Sequence, residues 1–178
     1  MHPMKTALAV INVLGGIAVL SSYAYGIATN DDPSAGLWGG VPRSLRPLYT
    51  VSMLTAATGY FLFSYFVFFR LDADHSQVFG GVGYGAFLVI YAAILIPSAL
   101  WMPLTFALLN HDAPALWPWI RIVLAIVGIS SVALVIAIAT AQPTDDSWAR
   151  PLALIGACAF AFQTAVLDAL VWPAYFPV

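Results

Sequence analysis

The chain has 178 residues, 62% of them hydrophobic and 8% charged, with a formal net charge of -2. A soluble domain carries about a quarter charged residues, so this composition points instead to a polytopic membrane protein with short loops. No basic cluster offers a phosphate-binding surface, which excludes nucleic acid as a partner, and the single cysteine, Cys158, excludes an internal disulfide.

The apolar runs predict an all-α integral membrane bundle of five transmembrane helices in a single domain, at about 6–28, 47–69, 84–109, 118–140 and 151–172. Each run is near or above the roughly 20 residues needed to cross the hydrocarbon core. The runs do not alternate with period two, so a transmembrane barrel is excluded. Helices are required because lipid offers no partner to backbone polar groups.

The N-terminus has the outline of a signal peptide, with Lys5 before an apolar run and a small-residue site at Ala24-Tyr25-Gly26. The run from Thr6 to Ala28 is nevertheless long enough to span, and a retained first helix is expected. Within it, Asn12 is suited to an interhelical hydrogen bond and Gly15-Gly16 to close helix approach. The run Ser21-Ser22-Tyr23-Ala24-Tyr25 is polar and aromatic.

The loop 29–46 is the longest connection and holds Trp38, Arg43 and Arg46. Two readings are open. It is a functional lid, or an interfacial segment with Trp38 at the headgroups and the arginines facing lipid phosphate. The second helix starts well at Pro47, whose missing N–H would be unpaired there in any case. It is rich in aromatics from Tyr49 onward and ends at Arg70. In the loop 70–83, Asp72, Asp74 and His75 make a sparse metal-ligand set that reads better as a solvated loop. Gly80, Gly81, Gly83 and Gly85 follow no predicted strand, so they are not a dinucleotide loop.

The third helix contains YAAILIPSALWMPLTF, Tyr91 to Phe106, the one span with two internal prolines, Pro97 and Pro103. Pro97 frees a carbonyl one turn earlier, near Ala93. Tyr91, Ser98 and Trp101 stand seven and three residues apart, which puts them on one helix face. The fourth helix opens with Trp117-Pro118-Trp119-Ile120-Arg121 and is otherwise structural in character, with Ser130 and Ser131 as its polar groups. Asp145, Asp146 and Trp148 follow in the loop 141–149.

The fifth helix carries Gln163, Thr164 and Asp168, the one aspartate of the chain inside a span. An intramembrane carboxylate is costly and marks function by default. Asp168 is also four residues from Trp172, within reach of the interface. Alternating crossings bring loop 29–46, loop 110–117, the start of helix four and the end of helix five to one side. Asp168 and Arg121 are therefore expected at similar depth, as a pair or as flanks of one cavity mouth. A pocket role and an interfacial salt bridge are both open. The cations divide evenly between the sides (Lys5, Arg70 and Arg150 against Arg43, Arg46 and Arg121), so they assign no orientation.

All three histidines lie outside the spans, which disfavours histidine-held haem or chlorophyll. No lysine lies in the last four spans, so no retinal Schiff base forms there. No nucleophile–base pair and no internal repeat is evident.

The layout of five short-looped helices with a long first loop resembles the translocator protein family, also called tryptophan-rich sensory protein (TspO/MBR). Tyr91, Trp101, Pro103 and Phe106 keep the spacing of that family's third-helix pattern, with Ile94 and Ser98 at its Gln and Asn positions. Pro47-Leu48-Tyr49-Thr50 is similar to the opening of its second helix. Leu167-Asp168, with Phe160 at the family's Trp place, stands at the Leu-Asn end of its fifth helix, without the preceding Pro-Tyr pair. The resemblance implies a bundle, often dimeric, that binds porphyrins or sterol-like molecules in a pocket under the first loop.

The expected ligand-binding set is Trp38, Arg43, Arg46, Tyr49, Tyr91, Ser98, Trp101, Arg121, Gln163 and Asp168. The arginines suit a porphyrin's propionates and the indoles suit its face. The expected function is binding, sensing or transport of a hydrophobic ligand, with porphyrin or haem as ligand rather than as a required cofactor and no metal site. Expected partners are membrane lipid, the ligand, and either a second copy or a membrane complex. The alternatives are an accessory subunit of a larger membrane complex and a small carrier using Asp168. An enzyme is the least favoured class, with porphyrin breakdown the activity that the resemblance leaves open.

Overall fold

The computed structural model describes residues 2–143 and 148–177. Asp145 and Asp146 lie outside the described residues. Helix α1 spans Pro3–Thr29 and a short helix α2 spans Pro33–Trp38. Four long helices follow: α3 over Arg46–Arg70, α4 over Gly85–His111, α5 over Trp117–Thr140 and α6 over Ala149–Tyr175. A two-stranded hairpin, β1 (Gln77–Val78) with β2 (Val82–Gly83), joins α3 to α4.

Five of these helices are long and apolar enough to cross a membrane, as in a multi-pass integral membrane protein. At 25 to 27 residues each, the spans reach roughly 40 Å, more than the ~30 Å hydrocarbon core. Their bounds lie within a few residues of those read from the sequence, because hydropathy changes abruptly at each loop. Helix α4 runs unbroken through Pro97 and Pro103.

Packing follows the order α1, α4, α5, α6, α3. Small residues set the closest approaches. A Cβ on Gly156 would meet the Gly59 Cα at 2.8 Å, so α3 and α6 touch backbone to backbone. A Cβ on Gly128 would meet the Ala165 Cα at 2.9 Å, bringing α5 onto α6. Beside that contact the Thr164 hydroxyl bonds the Ser131 hydroxyl at 2.8 Å, and Ser131 donates to the Gly128 carbonyl at 2.7 Å. Between α1 and α3 the Tyr60 hydroxyl donates to Asn12 at 3.2 Å, the interhelical role expected of Asn12.

Two cores result. One lies toward the hairpin end, built on Phe63, Phe66, Tyr84, Phe87, Tyr91, Leu134 and Ile138. The other lies toward α2, built on Val41, Tyr49, Ile120, Leu167, Trp172 and Phe176.

The α3–α6 crossing gives a direct test. Gly59→Val should destabilise the folded state by about 1–3 kcal/mol through overpacking. Gly16→Val, where an added Cβ meets nothing within 4 Å, should leave stability near wild type. Thermal unfolding of the two variants in detergent measures the contrast.

Candidate functional site

The second core is roofed by the first loop. The loop forms α2 because Asp32 caps it, accepting the Ser34 N–H at 3.0 Å, and because Pro33 occupies the first turn. Gly39, at φ +52°, ends the helix in a conformation that favours glycine. The Trp172 indole donates to the Leu37 carbonyl at 3.1 Å, fastening α2 to the end of α6. Gly36 lies so close to the Phe106 ring that an added Cβ would sit 2.7 Å from it, seating α2 on α4.

Beneath this roof the walls are aromatic. Tyr23 and Trp101 have ring centroids 5.7 Å apart, and Trp101 and Trp172 are edge to face at 5.6 Å. Trp117 stacks on Phe176 at 5.0 Å, and Trp172 lies 4.6 Å from Phe176. Trp38 meets Tyr49 edge-on at 6.3 Å, with the Arg46 guanidinium 5.2 Å above the Trp38 ring. Arg46 also donates to the Val41 carbonyl at 3.4 Å, which keeps it at the rim.

The floor is polar and comes mostly from α6. From Phe162 to Val171 that helix has π-helical hydrogen bonding, with residues five apart bonded along the axis. Gln163 and Asp168 are five apart, and the Gln163 amide donates to the Asp168 carboxylate at 2.8 Å. Ordinary α-helical winding would turn these side chains well away from each other. The buried Tyr49 hydroxyl donates to the Leu167 carbonyl at 2.8 Å. Tyr23 and Tyr49 both lie within the electrostatic reach of Asp168.

Three buried polar atoms here have no hydrogen-bond partner: Trp101 Nε1, Gln163 Oε1 and Ser52 Oγ. Tyr49 opposite Leu167 and Gly59 against Gly156 set the register of α3 on α6, which places Ser52 at the level of Gln163. Native structures leave few such groups unsatisfied, and each costs about 1–3 kcal/mol.

The structure brings Trp38, Arg46, Tyr49, Trp101, Gln163 and Asp168 together. It places four other expected residues elsewhere. Tyr91 is buried in the first core, bonded to the Ser64 hydroxyl at 3.0 Å. Ten residues of α4 separate it from Trp101, roughly 15 Å along the axis, and Ser98 falls between them. Arg43 and Arg121 are exposed. Asp168 is bonded by Gln163 and not by Arg121, so the expected pairing with Arg121 is not formed. Shared depth put the two at one level, but Arg121 is exposed on α5 and makes no pair with Asp168.

Tyr23, Ser52, Trp117, Trp172 and Phe176 belong to the site without having been singled out for it. For Tyr23 and Trp172 a signal existed, in the polar-aromatic run of the first helix and in the closeness of Trp172 to Asp168.

Two open surface recesses lie away from this aromatic cluster. One of ≈ 470 Å³ at the hairpin end is lined by His2, Lys5, Phe69, Arg70, Leu71, Asp72 and Ala73. The other, of ≈ 500 Å³, is an apolar recess beside Pro97. Among the described residues no three His, Cys, Asp or Glu side chains converge on a metal site. Asp72 instead pairs with His75 at 3.0 Å, and Asp74 with His2 at 2.9 Å.

Comparison with family models, with curated proteins and with solved structures gives no match. The translocator-type resemblance therefore rests on the residues quoted for it.

Two predictions follow from this geometry. Tyr49→Phe should cost about 0.5–1.5 kcal/mol, the net worth of one hydrogen bond, read from thermal unfolding. The second concerns the exposed Asp72–His75 pair. The Asp72 carboxylate is held below its ordinary value by the Asp74 N–H and then by His75. The hydrogen bond to Asp72 raises His75 above its ordinary 6.5. The charged pair is thus complete below the ordinary histidine value and lost as pH rises through the raised one. At the acid end it is lost as pH falls through the depressed Asp72 value. An NMR titration should show His75 moving back toward its ordinary value in Asp72→Asn.

Proposed function

We propose that this protein binds a hydrophobic ligand, of tetrapyrrole or sterol-like lipid character, in the aromatic chamber beneath α2, and that it acts as a membrane receptor or carrier for it. The observation that carries the reading is the convergence of unpartnered Trp101 Nε1 and Gln163 Oε1 with Asp168, inside a set of aromatic rings closed by a fastened helix. Ligand sites combine apolar walls with a few convergent polar groups in this way.

The rings fill the chamber in the free protein, so binding requires Trp101 and Trp172 to part and α2 to lift. A flat macrocycle replaces ring–ring contact with ring–ligand contact at little loss. Arg46, at the rim and already held over Trp38, suits an anionic edge group such as a propionate. The third-helix resemblance to the translocator family supports the same class of ligand. No step of chemistry is implied.

One observation favours a second reading, an accessory subunit or homodimer partner. Of the α1 residues only Leu8 and Gly26 are buried, and Val10, Val13, Leu14, Ile17 and Leu20 all face outward. Lipid covers such a face as well as protein does, and blue-native electrophoresis of mild-detergent extracts separates the two.

Titration with protoporphyrin IX, followed by tryptophan quenching, tests the first reading. Saturable quenching is expected, weakened about tenfold in Trp101→Phe, a loss of about 1.4 kcal/mol. Linear, non-saturating quenching that is the same in both proteins would remove the porphyrin reading.

A further inference from the structure

The floor of the chamber has a chemistry that its apolar walls do not require. Asp168 is a carboxylate within a membrane-spanning helix, and among the described residues no cation pairs with it. One of its oxygens accepts from the Gln163 amide, which positions the group but brings no charge. The Gln163 carbonyl oxygen is left without a donor, on a side chain only 6% exposed. The groups within electrostatic reach of Asp168 on the neighbouring helices are phenols, Tyr23 from α1 and Tyr49 from α3. Of the arginines at this end, Arg46 is committed to the Trp38 face and the Val41 carbonyl, while Arg43 and Arg121 are exposed.

The floor thus presents two free acceptors, an Asp168 oxygen and Gln163 Oε1, beside the Tyr23, Trp101 and Trp172 rings, with Trp101 Nε1 and Ser52 Oγ as unpartnered donors at the same end. A carboxylate next to aromatic faces is the environment that recognises an ammonium group, through a charge-assisted hydrogen bond and cation–π attraction. Water exclusion strengthens both. A carboxylate or phosphate head would meet repulsion from Asp168, and an uncharged hydroxyl would forgo the charge term.

We infer that the floor formed by Gln163 and Asp168 on the widened turn of α6 is a subsite for a protonated amine carried on an apolar body. This rests on the chamber reading above and narrows it to the polar end of the ligand. The amine donates to the free Asp168 oxygen and to Gln163 Oε1. Its apolar body lies among Tyr23, Trp101 and Trp172. An anionic group on the same molecule is restricted to the Arg46 rim.

The test uses three probes with one apolar body, 3-phenylpropylamine, 3-phenylpropanol and 3-phenylpropionate, titrated into the full chain in lipid nanodiscs with tryptophan emission as readout. The amine should saturate at a concentration about tenfold lower than the alcohol, with the carboxylate weaker still. Asp168→Asn, which keeps the acceptor for the Gln163 amide, should erase the difference between amine and alcohol, and Asp168→Glu should retain it. If the asparagine variant does not fold, the ranking in the wild-type chain and in Asp168→Glu decides. Equal binding of the three probes, no saturation by any, or a preference that survives Asp168→Asn would overturn the amine subsite. The separate porphyrin titration reports whether the chamber reading survives that outcome.

Discussion

The widened turn of the fifth spanning helix is the constraint on which the candidate site depends. Between Phe162 and Val171 the backbone bonds residues five apart, which brings Gln163 and Asp168 side by side at 2.8 Å. The same stretch leaves the Leu167 carbonyl accepting both the Trp172 N–H and the Tyr49 hydroxyl. Trp172 is thereby presented to the Leu37 carbonyl, and the first loop closes over the bundle. Rewinding this stretch as regular α-helix would separate the polar pair and rotate Trp172 away from the roof. π-helical insertions are rare and occur often at functional sites, and this one carries the buried polar groups of its helix.

The energetics of the two ends differ accordingly. The hairpin end has a core in which the Tyr91 and Tyr84 hydroxyls have partners, and there only Ser76 Oγ is unmatched among the described buried side chains. The α2 end places Trp101, Gln163 and Ser52 in the interior with polar atoms unmatched. Local consistency is the mark of a sequence selected for folding, and departures from it gather at sites that do something else. The Gly59–Gly156 crossing holds the first half of α6 tightly against α3, and the Gly128–Ala165 crossing holds the widened stretch itself against α5.

Much of this was legible in the sequence. The five spans were, because each is a continuous apolar run bounded by Pro, Gly or charge. So was the meeting of Trp38, Tyr49, Trp101 and Asp168 at one end, because alternating crossings fix which ends share a side. Spacing along α4 gave the face shared by Tyr91 and Trp101 but not their separation in depth, which sends Tyr91 to the other core. Crossing parity gave the depth of Arg121 but not its direction around α5, so its pairing with Asp168 did not follow. The widened turn was not legible, since nothing in FQTAVLDALV distinguishes it from ordinary helix. The Asp32-Pro33-Ser34 start of α2 was legible as a cap followed by a first-turn proline, but it lay in a stretch read as loop.

The measurement that tests the account most directly is the indole N–H spectrum of the protein labelled at its six tryptophans, recorded by NMR with and without protoporphyrin IX. Trp148 stacks on Tyr65 at the opposite end of the bundle and serves as the internal reference. With a site beneath α2, the Trp101 and Trp172 indole signals move on saturation while Trp148 stays in place. Movement of Trp148 with Trp101 and Trp172 unchanged, or uniform small shifts of all six, would contradict a site beneath the first loop.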